Sequence, residues 1–467
     1  MGSNPWDLDV NLHAVVLDFM FLGTFLLVGT ALRRYVRLFQ RYLIPNALIG
    51  GFAALLVSTQ GLGWVDMPSD RLGLYVYHLL ALTFVALGLR KQKNRWGKGP
   101  LSKALASLAS LLVQAIVGLI VAFVLVYTLY PNLFVGTGLM VPLGFGMGPG
   151  MAYSIGRNWE QFGFAGGGQV GLTFAVIGYL FAFIGGMALV NWGIRTRRSA
   201  LIDEGDEVSE DVRIGVYKTT PPPVAGYLPL SSEAIEPMAF QFALIGFVYL
   251  LTYGALWLLG EALTAAGLGG FVSTFWSLHF ILALLIALAV RAVLDRTGRA
   301  YLVDSGLMTR TMGVFLDFLI VAAVAAISFV VVQAYWLPIL LMSILAGAAT
   351  IGLLYWLCWR AFDDYHFERF VELFGEMTGT INSAIILLRV TDPEFKTPVA
   401  EDAAYGSGIS FFAGLPLIFM LQMPFLYFQN RVEGYWLTLL GFTVYLVLLL
   451  AVWRWIGFLD LKGPGRK

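Results

Sequence analysis

Val141-Pro-Leu-Gly-Phe-Gly-Met-Gly-Pro-Gly-Met-Ala-Tyr-Ser-Ile-Gly-Arg157 is the stretch on which the fold turns. Gly144, Gly146, Gly148 and Gly150 alternate strictly, and Pro149 sits inside the run. Glycine and proline are poor formers of helix interiors. Long apolar segments that read as membrane helices nevertheless flank the run on both sides. Non-helical backbone at membrane depth has to be buried in protein or line a cavity. In secondary transporters such breaks hold substrate and coupling ion. The apolar residues between the glycines (Phe145, Met147, Met151, Ile155) speak for a re-entrant segment and against a loop outside the bilayer.

Composition supports a bilayer around this stretch. Of 467 residues 58% are hydrophobic and 13% charged, and mean hydropathy is +0.77. Soluble domains carry about 25% charged residues. A net charge of +1 points to no nucleic acid or other polyelectrolyte partner. The one cysteine, Cys358, excludes an intrachain disulfide and a cysteine-built metal cluster. The first apolar stretch follows Asp7 and Asp9 rather than a basic region, so it reads as a span and not as a cleaved signal.

Eleven spans are expected: about 12–32, 43–58, 72–89, 104–130, 170–192, 240–259, 271–290, 312–333, 337–359, 408–428 and 436–456. A polar segment, 195–237, separates the first five from the rest. It holds Asp203-Glu-Gly-Asp-Glu207 and Pro221-Pro-Pro223, and reads as a linker. Basic residues gather in alternate loops. These are Arg33, Arg34, Arg37 and Arg41; Arg90, Lys91, Lys93, Arg95, Lys98 and Lys103; Arg195, Arg197 and Arg198; then Arg291, Arg296, Arg299 and Arg310; and last Arg360 and Arg369. The positive-inside rule then puts the amino terminus outside, the linker in the cytoplasm, and Lys462, Arg466 and Lys467 inside.

The halves repeat. Residues 1–194 hold five spans with an interruption at about 132–162. Residues 238–430 hold five more with an interruption at about 370–396. An odd number of spans per half reverses the orientation of the second half. The expected fold is therefore all-α: an inverted repeat whose two re-entrant hairpins meet near the midplane, with 431–467 as an extra span.

The second interruption reads Leu373-Phe-Gly-Glu-Met-Thr-Gly-Thr-Ile-Asn-Ser383 and continues through Arg389 to Asp392. Thr378, Thr380, Asn382 and Ser383 surround Gly379. Their oxygens are hard donors that suit sodium, or else they satisfy backbone freed by the glycine. Arg389 is a candidate partner for a substrate carboxylate, because a guanidinium pairs with carboxylate in a bidentate fork. Glu376 is a candidate to bind sodium, take a proton, or balance Arg389. Asp317, within a span, is a further candidate coupling residue, with His78 in the corresponding span of the other half as a possible opposite number. Arg157 and Asp18 read as interfacial. No phosphate loop, HExxH motif or histidine ligand spacing points to an enzyme, and no cofactor is expected.

Ile44-Pro-Asn-Ala-Leu-Ile-Gly-Gly51 resembles the IPEPVAGG-type signature of bacterial sodium–glutamate symporters. Gly146-Met-Gly-Pro-Gly-Met-Ala-Tyr-Ser154, Phe162-Gly-Phe164 and Gly375-Glu-Met-Thr-Gly379 extend that resemblance. It implies a dimeric, inner-membrane symporter with elevator-like alternating access, moving glutamate or a similar anionic amino acid with sodium. Gly146, Gly148, Gly150, Ser154, Gly379 and Arg389 would then line the substrate site. The family's histidine in the first glycine run is replaced near Met147, so a dicarboxylate or other organic anion stays open as substrate. A receptor or a channel is the rival class.

Overall fold

The computed structural model describes residues 12–91, 97–201, 210–217, 224–393 and 395–460. The acidic run 203–207, the prolines 221–223, Lys93, Arg95, and the terminal residues Asp7, Asp9, Lys462, Arg466 and Lys467 lie outside them. The described chain is helical and has no sheet; Ser58 and Val65 form an isolated bridge.

In chain order the helices are α1 (Leu12–Tyr35), α2 (Arg37–Arg41), α3 (Asn46–Val57), α4 (Ser69–Leu89) and α5 (Lys98–Thr128). A tight turn, Val135–Leu139, leads into α6 (Met140–Phe145), which is followed by α7 (Pro149–Trp159). Next, α8 (Gly167–Leu180) runs through a wide turn at Phe181–Gly185 into α9 (Gly186–Arg195). After α10 (Glu210–Ile214) come α11 (Pro237–Ala265), α12 (Val272–Ser277), α13 (His279–Arg296), α14 (Ser305–Ala325) and α15 (Phe329–Ala361). The chain ends in α16 (His366–Thr378), α17 (Ile381–Thr391), α18 (Val399–Leu426) and α19 (Val432–Trp455).

Among the described residues, nine helices are long and apolar enough to cross a bilayer, and the bent pair α12–α13 makes a tenth. The chain is a multi-pass membrane protein. Four expected spans differ from the structure. The second, 43–58, is the 12-residue α3, about 18 Å long at 1.5 Å per residue and short of a hydrocarbon core. Pro45 sets its start, and the chain leaves the helix at Ser58. The seventh, 271–290, is broken by 70° at Leu278. Its freed carbonyls are met by neighbours: the Tyr77 hydroxyl donates to Trp276 O at 2.7 Å, and Ser154 Oγ donates to Ser277 O at 2.7 Å. The eighth and ninth join at Ala326–Ser328, not at 333–337, and Ala326 and Ile327 are buried. No polar residue, glycine or proline marks that turn except Ser328, which is why hydropathy ran past it.

Packing relates the halves. α4 lies along α14 and α5 along α15, while α13 packs on α4 as α3 packs on α14. Polar contacts identify the two ends of the bundle. At one end Arg33 Nη2 donates to Val212 O in the linker, Lys91 N donates to Ser305 Oγ, and Lys98 meets Asp363 at 2.6 Å. At the other, Arg71 pairs with Asp18, and Gln161 Nε2 donates to Ser273 Oγ. Asp18 is fully buried, and its Oδ1 accepts from Arg71 Nη2 at 2.9 Å. It is a buried charge paired with Arg71 at that end of the bundle.

Both interruptions are helical hairpins. α6 runs back along α5: a Cβ on Gly138 would lie 2.3 Å from Gly118 O, so backbone touches backbone there. α7 then returns along α8, with Gly156 equally close to Gly167. The hairpin's two ends meet where Phe134 stacks on Phe164 at 4.4 Å. The second hairpin, α16–α17, closes on itself at Gly375, where a Cβ would lie 2.8 Å from Ala384 Cα. Its base lies at the opposite end of α5, where Lys98 meets Asp363 and Arg369 meets Asp402.

Candidate functional site

The two hairpin tips meet beside the middle of α5. Gln114, fully buried, donates through Nε2 to Met377 O at 2.8 Å and to Thr350 Oγ1 at 3.1 Å. It therefore ties α5 and α15 to the end of α16. A Cβ on Gly146 would stand 3.6 Å from both Gln114 Oε1 and Met377 O, and one on Gly148 would stand 3.8 Å from Thr380 Cγ2. Gly178 on α8 touches both tips: its Cβ would lie 2.5 Å from Thr378 O and 3.2 Å from Phe145 Cα. The glycines of the first run and of α8 are what let these backbones converge.

Four helix ends share this place. α7 starts at Pro149 and α17 at Ile381, so the unpaired N–H groups of their first turns face the breaks. Such ends attract anions. α6 stops at Phe145 and α16 at Thr378, and their free carbonyls attract cations. At this junction Gln114 Oε1 is buried without a hydrogen bond among the described residues. Tyr179 lies beside Thr380 and within electrostatic reach of Asp317. Gly146, Met147 and Thr380 are part-buried and Asn382 is exposed, so the junction is not sealed from its surroundings.

Gly148 has φ +85° and ψ 171°, a region held almost only by glycine at a cost of about 1–3 kcal/mol for other residues. There is space for a methyl group, so the cost is conformational and not steric. Gly148→Ala should destabilise the protein by about 1–3 kcal/mol, read as a lower melting temperature in detergent. An unchanged midpoint would show that the backbone relaxes freely there.

Of the residues expected from the sequence, Gly146, Gly148, Thr378, Gly379 and Thr380 come together at the junction. Asn382 and Ser383 follow in the first turn of α17, Asn382 exposed and Ser383 buried. Thr378 Oγ1 donates to Phe374 O at 2.7 Å, so its proton serves its own helix. Gly150 packs on Leu80, which a Cβ would approach to 2.6 Å. Ser154 lies further along α7 and is committed to Ser277 O. Arg389 is at the far end of α17, about 13 Å from the break at 1.5 Å per residue, with its guanidinium over the Phe395 ring. Glu376 does not balance Arg389; it pairs with Lys103. His78 does not meet Asp317: its Nδ1 contacts the Tyr249 hydroxyl at 2.7 Å. Arg157 pairs with Glu160 at 2.6 Å at the hairpin base.

Sequence reasoning missed Gln114, Gly178 and Lys103. Gln114 left a signal, a lone amide in the middle of an apolar span. Lys103 looked like the last residue of a basic loop, yet it is 2% exposed inside the bundle. Comparison of the chain with protein-family models, with curated proteins and with solved structures finds no match.

Proposed function

We propose that this protein is a sodium-coupled secondary transporter for glutamate or a similar small anionic amino acid, working by alternating access. One observation carries the reading: two half-helix N-termini and two half-helix C-termini converge at the hairpin tips, beside the open acceptor Gln114 Oε1. N-termini suit a carboxylate; C-termini, Gln114 Oε1 and the oxygens of Thr380, Asn382 and Ser383 suit an ammonium group and sodium. Hairpins based at opposite ends of α5 fit an inverted repeat, with a gate on each side of one central site. α5, α8, α15, α18 and the hairpins would move as a unit against α1, α3, α4, α13 and α14 in a homodimer.

Uptake of labelled L-glutamate by purified protein in liposomes tests this, with aspartate and succinate as competitors and with sodium replaced by choline. Saturable, sodium-driven uptake is expected. Strongest competition by succinate would make the substrate a dicarboxylate, and no driven uptake of any of the three would sink the reading.

The inverted arrangement has its own test. In a Cys358→Ala background, Gln161→Cys at the first hairpin's base should react with an impermeant maleimide from outside the cell. Asp363→Cys at the second hairpin's base should react only after permeabilisation. Reaction of both from one side would remove the inverted repeat.

A further inference from the structure

One face of α16 carries Glu368, Arg369, Glu372 and Glu376, all buried. A helix that re-enters a bilayer gains nothing from such a face unless the charges are used or paired. Most are paired. Glu368 Oε1 accepts from Ser199 Oγ and Ala200 N. Arg369 donates through Nη1 to Asp402 Oδ2 and through Nη2 to Asp364 Oδ1, both at 2.8 Å. Lys103 of α5 pairs with Glu376, and its ammonium also donates to Ser407 Oγ at 2.6 Å. Ser407 Oγ has one proton to share between Glu376 Oε1 at 3.0 Å and Ala403 O at 2.7 Å.

Glu372 is left over. It is 1% exposed, and its Oε1 has no hydrogen-bond partner among the described residues. It stands four residues before Glu376 on the same face of α16, so the two buried carboxyls are neighbours that act on one another electrostatically. Every charged or titratable neighbour of Glu372 is accounted for. Lys103 already holds Glu376, and Arg369 already holds two carboxylates. Cys358 of α15 is a buried thiol that brings no positive charge. Arg389 of α17 is turned to Phe395, and Arg195 of α9 is exposed. One ammonium therefore serves two neighbouring carboxyls. The group is neutral only when one carboxyl carries a proton.

An open cleft lies on the hairpin-base side of this group. A cleft of about 210 Å³ at the base of the second hairpin is lined by Lys98, Asp363, Asp364, Arg369 and Asp402. Arg369, in its lining, precedes Glu372 by about one helical turn on α16. In the other direction Glu376 lies two residues before Thr378 and the break. The geometry points to Lys103, Glu372 and Glu376 as a proton-binding site that loads and unloads through this cleft. On release, the proton passes from the Glu372 carboxyl to water in the cleft, and the group keeps one ammonium and two carboxylates, a net charge of −1. That buried charge favours a cation at the hairpin tip and disfavours movement of the empty hairpin. Coupling to substrate movement rests on the transport reading; the proton site itself does not.

Infrared spectroscopy of the full-length protein in lipid tests the site directly. The C=O stretching band of a protonated carboxyl should be present, shift in D2O and fade as pH is raised. Glu372→Gln should remove it. Glu376→Gln should remove it too, because Lys103 then claims Glu372 as its carboxylate partner. A band that persists in both variants, or one that ignores D2O and pH, would overturn the proposal. Uptake in liposomes supplies the coupling arm. An imposed pH gradient should alter sodium-driven uptake of L-glutamate by the native protein, and Glu372→Gln should lose that response. A response retained by the variant would separate the site from transport. If no uptake is seen at all, the transport reading fails, while the infrared result still decides the proton site.

Discussion

Gly178→Ala should cut sodium-driven uptake about ten- to a hundredfold while the protein still inserts and purifies. The added methyl carbon would stand 2.5 Å from Thr378 O and 3.2 Å from Phe145 Cα. Both are backbone atoms, so neither can swing aside as a side chain would. One hairpin tip has to move away from the other. Overpacking of this kind costs about 1–3 kcal/mol, and each 1.4 kcal/mol is about tenfold in the population of the intact junction. Gly313→Ala on α14 is the control, since nothing lies within 4 Å of the Cβ it would add. Equal uptake by the two variants would show that the tips need not touch.

Lys103→Met should be the most destabilising single change, by about 3–5 kcal/mol, the usual cost of removing one partner of a buried ion pair. Lys103 is 2% exposed and serves both Glu376 and Ser407. Methionine fills the space of the lysine stem, so the loss isolates charge from packing. The double variant Lys103→Met with Glu376→Gln should recover most of the stability, because no unpaired carboxylate then remains next to the protonated Glu372. Thermal unfolding in one detergent, read for the single and the double together, checks both. A single variant as stable as the native protein would mean that water already reaches the pair.

Membrane class and the two interruptions were legible along the chain. Twenty-residue apolar runs, basic residues in alternate loops and glycines at close spacing are local signals, and each has a local cause. The bilayer excludes unpaired backbone, positive charge stays on one side, and glycine interrupts a helix. The sequence alone therefore determined that helices dominate and that the chain breaks near Gly146–Gly148 and Gly379.

Partners were another matter. Lys103 and Glu376 are far apart in sequence, and nothing local distinguishes a loop lysine from one folded into the core. Arg389 looked deep because four apolar residues precede it, yet α17 carries it away from the break and toward the hairpin base. α3 was read as a span but is too short to cross a bilayer; its glycines let it lie against α1 instead, where a Cβ on Gly50 would stand 2.4 Å from Phe25 O. The bend at Leu278 has no glycine or proline to announce it; it persists because Tyr77 and Ser154, from two other helices, satisfy the carbonyls it frees. Which breaks meet, which charges pair and which carboxyl is left holding a proton depend on distances between segments remote in sequence, and only the tertiary structure decides those.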